Sequence, residues 1–177
     1  GAQPGSRVLE IGCGWGGFMQ LALQNQAKIT GLTLSAEQKK YAEQRLVSDF
    51  SKNDYEIKLQ DYRLEEQKYD HIVSIEMFEA VGKEYWSEYF QTLQRCLKFD
   101  GKVGLQVITI NDDYAENYQS SVDFIQAYIF PGGLLPSVRQ LHELATEHGF
   151  EVEKNEDFGC DYAETCKQWK HTFNQHS

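Results

Sequence analysis

Val8-Leu9-Glu10-Ile11-Gly12-Cys13-Gly14-Trp15-Gly16-Gly17 is a short apolar strand that runs straight into a glycine cluster, and an apolar helix pattern (Phe18, Leu21, Ala22) follows it. Glycine lets a backbone turn sharply and approach a ligand closely. The helix that follows presents free N–H groups to that ligand. The stretch reads as a nucleoside-cofactor site at the C-terminal end of a first parallel strand.

Two cofactors compete for such a site. A dinucleotide asks for Gly-x-Gly-x-x-Gly and an acid for the ribose roughly 20 residues on. This chain has Gly12-x-Gly14-x-Gly16, its glutamate Glu10 precedes the glycines, and the second strand ends Ile29-Thr-Gly-Leu-Thr33-Leu34-Ser35 without an acid. Glu-x-Gly-x-Gly-x-Gly resembles the first motif of S-adenosylmethionine (SAM) methyltransferases, in which no pyrophosphate has to be cradled. A glycine-rich turn with no ligand is the bland alternative.

Strand and helix patterns alternate from this point on, which argues for a parallel sheet with helices on both faces. The strands are expected at Arg7–Ile11, Lys28–Leu34, Tyr55–Gln60, Tyr69–Glu76 and Lys102–Ile110, with a sixth at Phe150–Lys154. Helices are expected at Gly17–Gln24, Glu37–Ser48 and Tyr85–Cys96, from Ser137 to the Gly149 stop, and at Tyr162–Phe173. Ser35-Ala-Glu-Gln38 and Ser137-Val-Arg-Gln140 have the form of capping boxes. Asn111–Ser121 reads as polar and irregular, and Phe124–Phe130 as strongly apolar, ending at Pro131-Gly132-Gly133. In an open parallel sheet the ligand lies beyond the C-terminal strand ends. The loops that matter are then Gly12–Gly17, Thr33–Gln38, Asp61–Arg63, Glu76–Gly82 and Gln106–Asn111.

A chain of 177 residues, 41% of them hydrophobic, fits one domain. Its formal net charge of −10 speaks against nucleic acid and gives no polybasic handle for anionic lipid. No apolar run approaches the ~20 residues of a membrane-spanning helix. The four cysteines (Cys13, Cys96, Cys160, Cys166) form no Cys-x-x-Cys pair, and the five histidines show no metal-ligand spacing, so no metal site is expected. Free thiols suit a cytoplasmic protein. Gly1-Ala-Gln-Pro4-Gly5 starts almost on the first strand and Trp169–Ser177 stops in a helical pattern, so the chain reads as the single-domain core of a longer protein that lacks an N-terminal lid and a C-terminal segment.

Five stretches together resemble the cyclopropane fatty acid synthase and mycolic acid cyclopropane synthase family. They are Leu9–Gly16, Gly31-Leu-Thr-Leu-Ser35, Ser74-Ile-Glu-Met-Phe-Glu-Ala-Val-Gly82, Tyr128-Ile-Phe-Pro-Gly-Gly133 with Leu135-Pro-Ser137, and Asp161-Tyr-Ala-Glu-Thr165. The Ile-Phe-Pro-Gly-Gly element is far more specific than the glycine loop. The resemblance implies a Rossmann-like class I SAM-dependent methyltransferase, with a mostly parallel, doubly wound α/β sheet. It implies transfer of a methylene or methyl group to the double bond of an unsaturated acyl chain in phospholipid, by way of a carbocation and its deprotonation. It also implies peripheral contact of the intact protein with the inner face of the membrane.

Family members use a bound bicarbonate ion as the base. The resemblance gives one anchor of that ion as Glu79, of the Phe-Glu-x-x-Gly element, and another as Tyr162, of Tyr-x-x-Thr. A histidine and nearby backbone at the end of strand five complete it in the family. This chain has Gln106-Val-Ile108 there, and glutamine can donate a hydrogen bond but cannot titrate. A further family cysteine lies upstream of the glycine motif, and Cys13 is not that cysteine. Phe130 falls near the reacting carbons, where its ring face would favour a cation. For the cofactor the resemblance points to Glu10, Gly12, Cys13, Gly14, Gly16, Thr33, Leu34, Gln38, Tyr62 and Arg63, with Gln38 in the ribose role. Three other readings stand beside it: a methyl- or methylene-branching enzyme of the same fold, a small-molecule methyltransferase, and a SAM-binding core without catalysis.

Overall fold

The computed structural model describes residues 2–120, 122 and 124–176. Five strands, β1 (Arg7–Ile11), β2 (Lys28–Thr33), β3 (Tyr55–Leu59), β4 (Tyr69–Ile75) and β5 (Leu97–Gln106), form one sheet in the order β3-β2-β1-β4-β5. Every pairing among them is parallel. The helices are α1 (Gly17–Gln24), α2 (Ala36–Leu46), α3 (Trp86–Cys96), α4 (Asp112–Gln119), α5 (Phe124–Tyr128), α6 (Val138–Glu147) and α7 (Gly159–Gln175). The chain leaves β1 toward β2 on one side and reaches β4 on the other. The strand order therefore reverses between β1 and β4, and the crevice for a ligand opens there.

Alternation along the central strands builds two cores. On β1, Val8 packs with Ile29, Ile57, Met19, Leu23 and Leu46 on the α1–α2 side. Leu9 and Ile11 pack with Ile72, Phe78, Tyr89, Phe90 and Leu93 on the α3–α6 side. Burial on both faces explains why β1 is apolar almost without interruption rather than alternating.

Three expectations need correction. Residues 112–119 form a helix rather than irregular chain: Asn111 accepts the Asp113 N–H at 2.9 Å, and Asp112 and Asp113 complement the helix dipole. The Ser121 end of that stretch lies outside the described residues. Residues 150–154 form no strand. The outer edge of β5 stays open among the described residues, and the segment meets its surroundings through side chains rather than a ladder: Phe150 packs against Phe90, and Lys102 of β5 reaches Glu153 at 2.5 Å. Finally, β5 runs Leu97–Gln106, starting earlier and ending earlier than Lys102–Ile110.

The Ser137 capping box is complete, with Ser137 N–H donating to Gln140 Oε1 at 3.0 Å and Gln140 N–H to Ser137 Oγ at 3.3 Å. At Ser35 only half of the box forms. Ser35 Oγ accepts the Gln38 N–H at 3.1 Å, but the Gln38 side chain accepts from Thr33 Oγ1 at 2.7 Å instead.

Candidate active site

The glycines of the first loop have three separate jobs. Gly12, Gly14 and Gly16 all have positive φ (81°, 51° and 77°), which side chains rarely adopt. A Cβ on Gly12 would lie 2.8 Å from Met77 Cγ, so Gly12 lets the β4 loop close over β1. A Cβ on Gly16 would lie 2.9 Å from the Cβ of Ala42, so Gly16 lets α1 pack against α2. A Cβ on Gly14 would meet open space, which leaves that backbone accessible to a ligand.

A cavity of about 580 Å³ opens at the switch point, lined by Gly12, Thr33, Leu34, Tyr62, Arg63 and Met77 among others. Its size suits a nucleoside cofactor. Glu10 is buried one residue before Ile11, which lines the cavity, and one of its carboxylate oxygens has no hydrogen-bond partner. Burial pushes the Glu10 carboxyl up to about 8. An orphaned buried acceptor next to an exposed glycine backbone is a fitting donor-seeking cradle for the polar end of SAM.

The remaining expected cofactor residues fall into two groups. Thr33, Leu34, Tyr62 and Arg63 line the cavity directly. Cys13 and Gln38 do not. The Cys13 thiol is buried under Gly31, and burial together with the Glu10 charge pushes it up to about 12, so it is inert. Gln38 braces Thr33. Arg63 is committed to Asp61, which it grips with Nε at 3.0 Å and Nη2 at 2.6 Å while lying over the Tyr85 ring. Asp61 itself lines the cavity, as do Gly82, Glu84 and Gly132. Asp61 lies in the Asp61–Arg63 loop that the sequence singled out; nothing in the sequence flagged Glu84.

A second cluster sits at the ends of β4 and β5. Glu79, in the 3-10 turn Phe78–Ala80, accepts the Ile108 N–H with one oxygen, while its other oxygen is buried without a partner. Burial, and then the neighbouring Glu76 charge, raise the Glu79 carboxyl above its ordinary value despite the backbone N–H groups of Ile108 and Glu79 that oppose the shift. Gln106 Nε2 donates to Tyr162 Oη at 2.8 Å and to Glu76 Oε1 at 3.1 Å. The structure thus brings together Glu79, Gln106, Ile108 and Tyr162, from three stretches that lie far apart in sequence. Phe130 stands beside the Glu79 turn, since a Cβ on Gly133 would lie 3.3 Å from Phe130 Cβ and 3.5 Å from the Glu79 carbonyl oxygen, while its ring is 66% exposed.

A five-stranded parallel sheet of this order, with a glycine loop and an acid at the end of its first strand, is the class I SAM-dependent methyltransferase fold. The mycolic acid cyclopropane synthetase family model matches residues 1–177. The chain belongs to that family. It is 39% identical over 176 residues to the tuberculostearic acid methyltransferase of Mycobacterium tuberculosis, covering 99% of this chain and 41% of that protein. It is 40% identical over 173 residues to the cyclopropane-fatty-acyl-phospholipid synthase of Escherichia coli K12, covering 97% and 43%. The chain therefore spans about two-fifths of the length of these curated relatives. Among solved structures it superposes on a mycolic acid cyclopropane synthase complexed with SAH and CTAB with a TM-score of 0.89 and 30% identity, covering 99% of this chain and 65% of that one. The cyclopropane synthase of M. tuberculosis gives a TM-score of 0.88 with 27% identity over the same shares of the two chains.

Proposed function

We propose that the protein is a SAM-dependent methyltransferase that adds one carbon to the double bond of an unsaturated fatty acyl chain, most simply in phospholipid at the inner face of the membrane. The observation that carries this reading is the Glu79 carboxylate, held by the Ile108 N–H on one oxygen and left without a partner on the other, beside Gln106 and Tyr162. Ordinary small-molecule methyl transfer to a heteroatom needs only that atom's own lone pair. Methylation of an alkene leaves a cation that must lose a proton, so a site for a base is required.

SAM, when bound, supplies an electrophilic methyl group. Gly12, Gly14, Thr33, Leu34 and Tyr62 would hold it, with Glu10 as the buried acceptor. The base site is suited to a small oxyanion that carries a proton, such as bicarbonate. Glu79 Oε2 offers an acceptor to its hydroxyl, and Tyr162 offers a donor to its charge. Met77, Ala80 and Val81 wall the cofactor cavity from the same turn that carries Glu79, which fixes the base site relative to the cavity.

A branched product is the second reading: a methylene branch where the cation loses a neighbouring proton, or a methyl branch where a hydride donor supplied from outside this chain reduces it. Gln106 in place of histidine favours it, as does the similarity to an enzyme named for tuberculostearic acid. Proton NMR and mass spectrometry of lipids from cells expressing the full-length gene decide between them. High-field ring protons with loss of vinyl signal mean cyclopropanation, and added carbon without ring protons means branching. Unchanged lipids in a host rich in unsaturated phospholipid would refute the acyl substrate.

A further inference from the structure

Glu76 borders the base site twice over: its charge adds to the rise of the Glu79 carboxyl, and its carboxylate meets Gln106. It is a non-glycine residue with φ of 50°, in the left-handed region that costs a side chain free energy and that glycine adopts without strain. Its N–H donates to the Gln106 carbonyl at 2.9 Å, which extends the β4–β5 pairing by one bond and fixes the two residues side by side. Its carboxylate then lies 3.1 Å from Gln106 Nε2.

The polarity of this small network follows from chemistry alone. A carboxylate only accepts, so the Gln106 atom that faces Glu76 must be an N–H and not the carbonyl oxygen. The same nitrogen lies 2.8 Å from Tyr162 Oη, so its second N–H goes to the phenol oxygen. Tyr162 therefore accepts from Gln106, and its own proton is free to be donated into the site. With the amide flipped, Gln106 would offer its oxygen to Tyr162. The phenol would spend its proton there and present only a lone pair to the site, which repels an anionic base.

We propose that Glu76 is a positioning residue: its strained backbone and its carboxylate lock the Gln106 amide in the one orientation that makes Tyr162 a hydrogen-bond donor to the base. The proposal rests on the base site described under the proposed function. A glutamine amide presents either its oxygen or its N–H to the tyrosine depending on its flip, so its orientation has to be set by a neighbour.

The test uses the full-length protein with SAM, bicarbonate and vesicles of an unsaturated phospholipid. Glu76→Gly relieves the left-handed strain, so the variant folds at least as stably as the wild type. Its kcat should nevertheless fall at least tenfold, with KM for SAM unchanged. The double variant Glu76→Gln/Gln106→Glu restores a hydrogen bond between the two positions but reverses it, and Tyr162 must then donate to the new carboxylate. A structural role predicts rescue by this swap; a polarity role predicts that kcat stays low. Wild-type kcat in either variant overturns the proposal. A readout free of activity is the nitrogen-15 NMR signal of the Gln106 side chain, whose two amide protons should both be shifted downfield and slow to exchange. One of them should return to ordinary behaviour in Glu76→Gly. Free-amide behaviour in the wild type overturns the proposal by itself. Protected amide protons with no lipid product from the wild type would strike the acyl substrate and leave the network standing.

Discussion

Replacing Glu10 by glutamine should make the fold more stable at alkaline pH and weaken its hold on the cofactor. Glu10 is 3% exposed, and one of its oxygens lacks a partner. Burial raises its carboxyl from 4.5 to about 8. The folded protein thus binds this proton more tightly than the unfolded chain does. The associated stability is complete below about pH 4.5 and is lost as the pH rises through about 8. At about 1.4 kcal/mol per pH unit the span corresponds to about 5 kcal/mol. That is an upper value, because water entering the open cavity relaxes part of the penalty. It is still a large share of the ~5–15 kcal/mol that holds a domain together. Urea denaturation without cofactor, run from about pH 5 to about pH 8.5, reads it directly. Wild type should lose several kcal/mol across that range, and Glu10→Gln should lose markedly less. A donor on bound S-adenosylhomocysteine would satisfy the orphaned oxygen and favour its ionised form. Binding to wild type should then release a proton, seen as a calorimetric heat that depends on the buffer, and binding to Glu10→Gln should not. Parallel loss of stability in the two proteins would refute the argument.

Glu79→Gln removes the anchor of the base without touching the cavity wall. It should lower kcat by about 10²- to 10³-fold and leave S-adenosylhomocysteine affinity within about twofold, by lipid mass spectrometry and calorimetry. Gly12→Ala forces a side chain into a φ of 81° and against Met77 Cγ at 2.8 Å, and should cost about 2–3 kcal/mol in thermal denaturation. Gly14→Ala meets open space, so it should cost only about 1 kcal/mol of stability yet weaken the cofactor at least tenfold; equal stability losses would remove the distinction between the two glycines. Glu65 is buried at 2% exposure and accepts from Lys58 at 2.8 Å, Gln60 at 3.1 Å and Tyr69 at 3.2 Å. Glu65→Ala should destabilise the protein by about 3 kcal/mol in urea, with little effect on cofactor affinity in the variant that remains folded.

The parts of this fold that could be read from sequence are those where burial acts on a regular period. β1 and β2 are covered on both faces and buried from their second residue onward, and both strands begin where expected. Failures came where structure depends on a neighbour that sequence cannot display. Residues 150–154 look like a strand, but strand formation needs backbone pairing, and this segment meets β5 through the Lys102–Glu153 side chains instead. The helix at 112–119 was legible in principle from Asn111-Asp112-Asp113, a cap followed by two acids, but the polar residues after them carried no strong apolar stripe. At the site, Glu79, Gln106 and Tyr162 were legible through the family pattern, and the structure brings them together. The roles within that set were not. Nothing in the sequence separates a glycine that admits a ligand from one that admits a helix, as Gly14 and Gly16 do, because the distinction lies in what stands opposite each missing Cβ.

The 3-10 turn Phe78–Ala80 explains how one short segment serves both halves of the site. Such a turn has three residues per revolution, so three consecutive side chains leave it in three directions. Phe78 goes into the core, where it is 1% exposed and packs edge-on against Tyr89 and Phe90. Glu79 goes toward the end of β5 and takes the Ile108 N–H. Ala80 faces the cofactor cavity. The core residue holds the turn rigid, and that rigidity fixes the distance from the cofactor wall to the base. The reaction proposed for this protein needs that fixed distance, since the alkene carbon must meet the methyl group in line with its leaving sulfur and the base must then reach a proton to the side of that line. The switch point between β1 and β4 provides the crevice, and this turn, at the end of β4, divides it into a side for the cofactor and a side for the base.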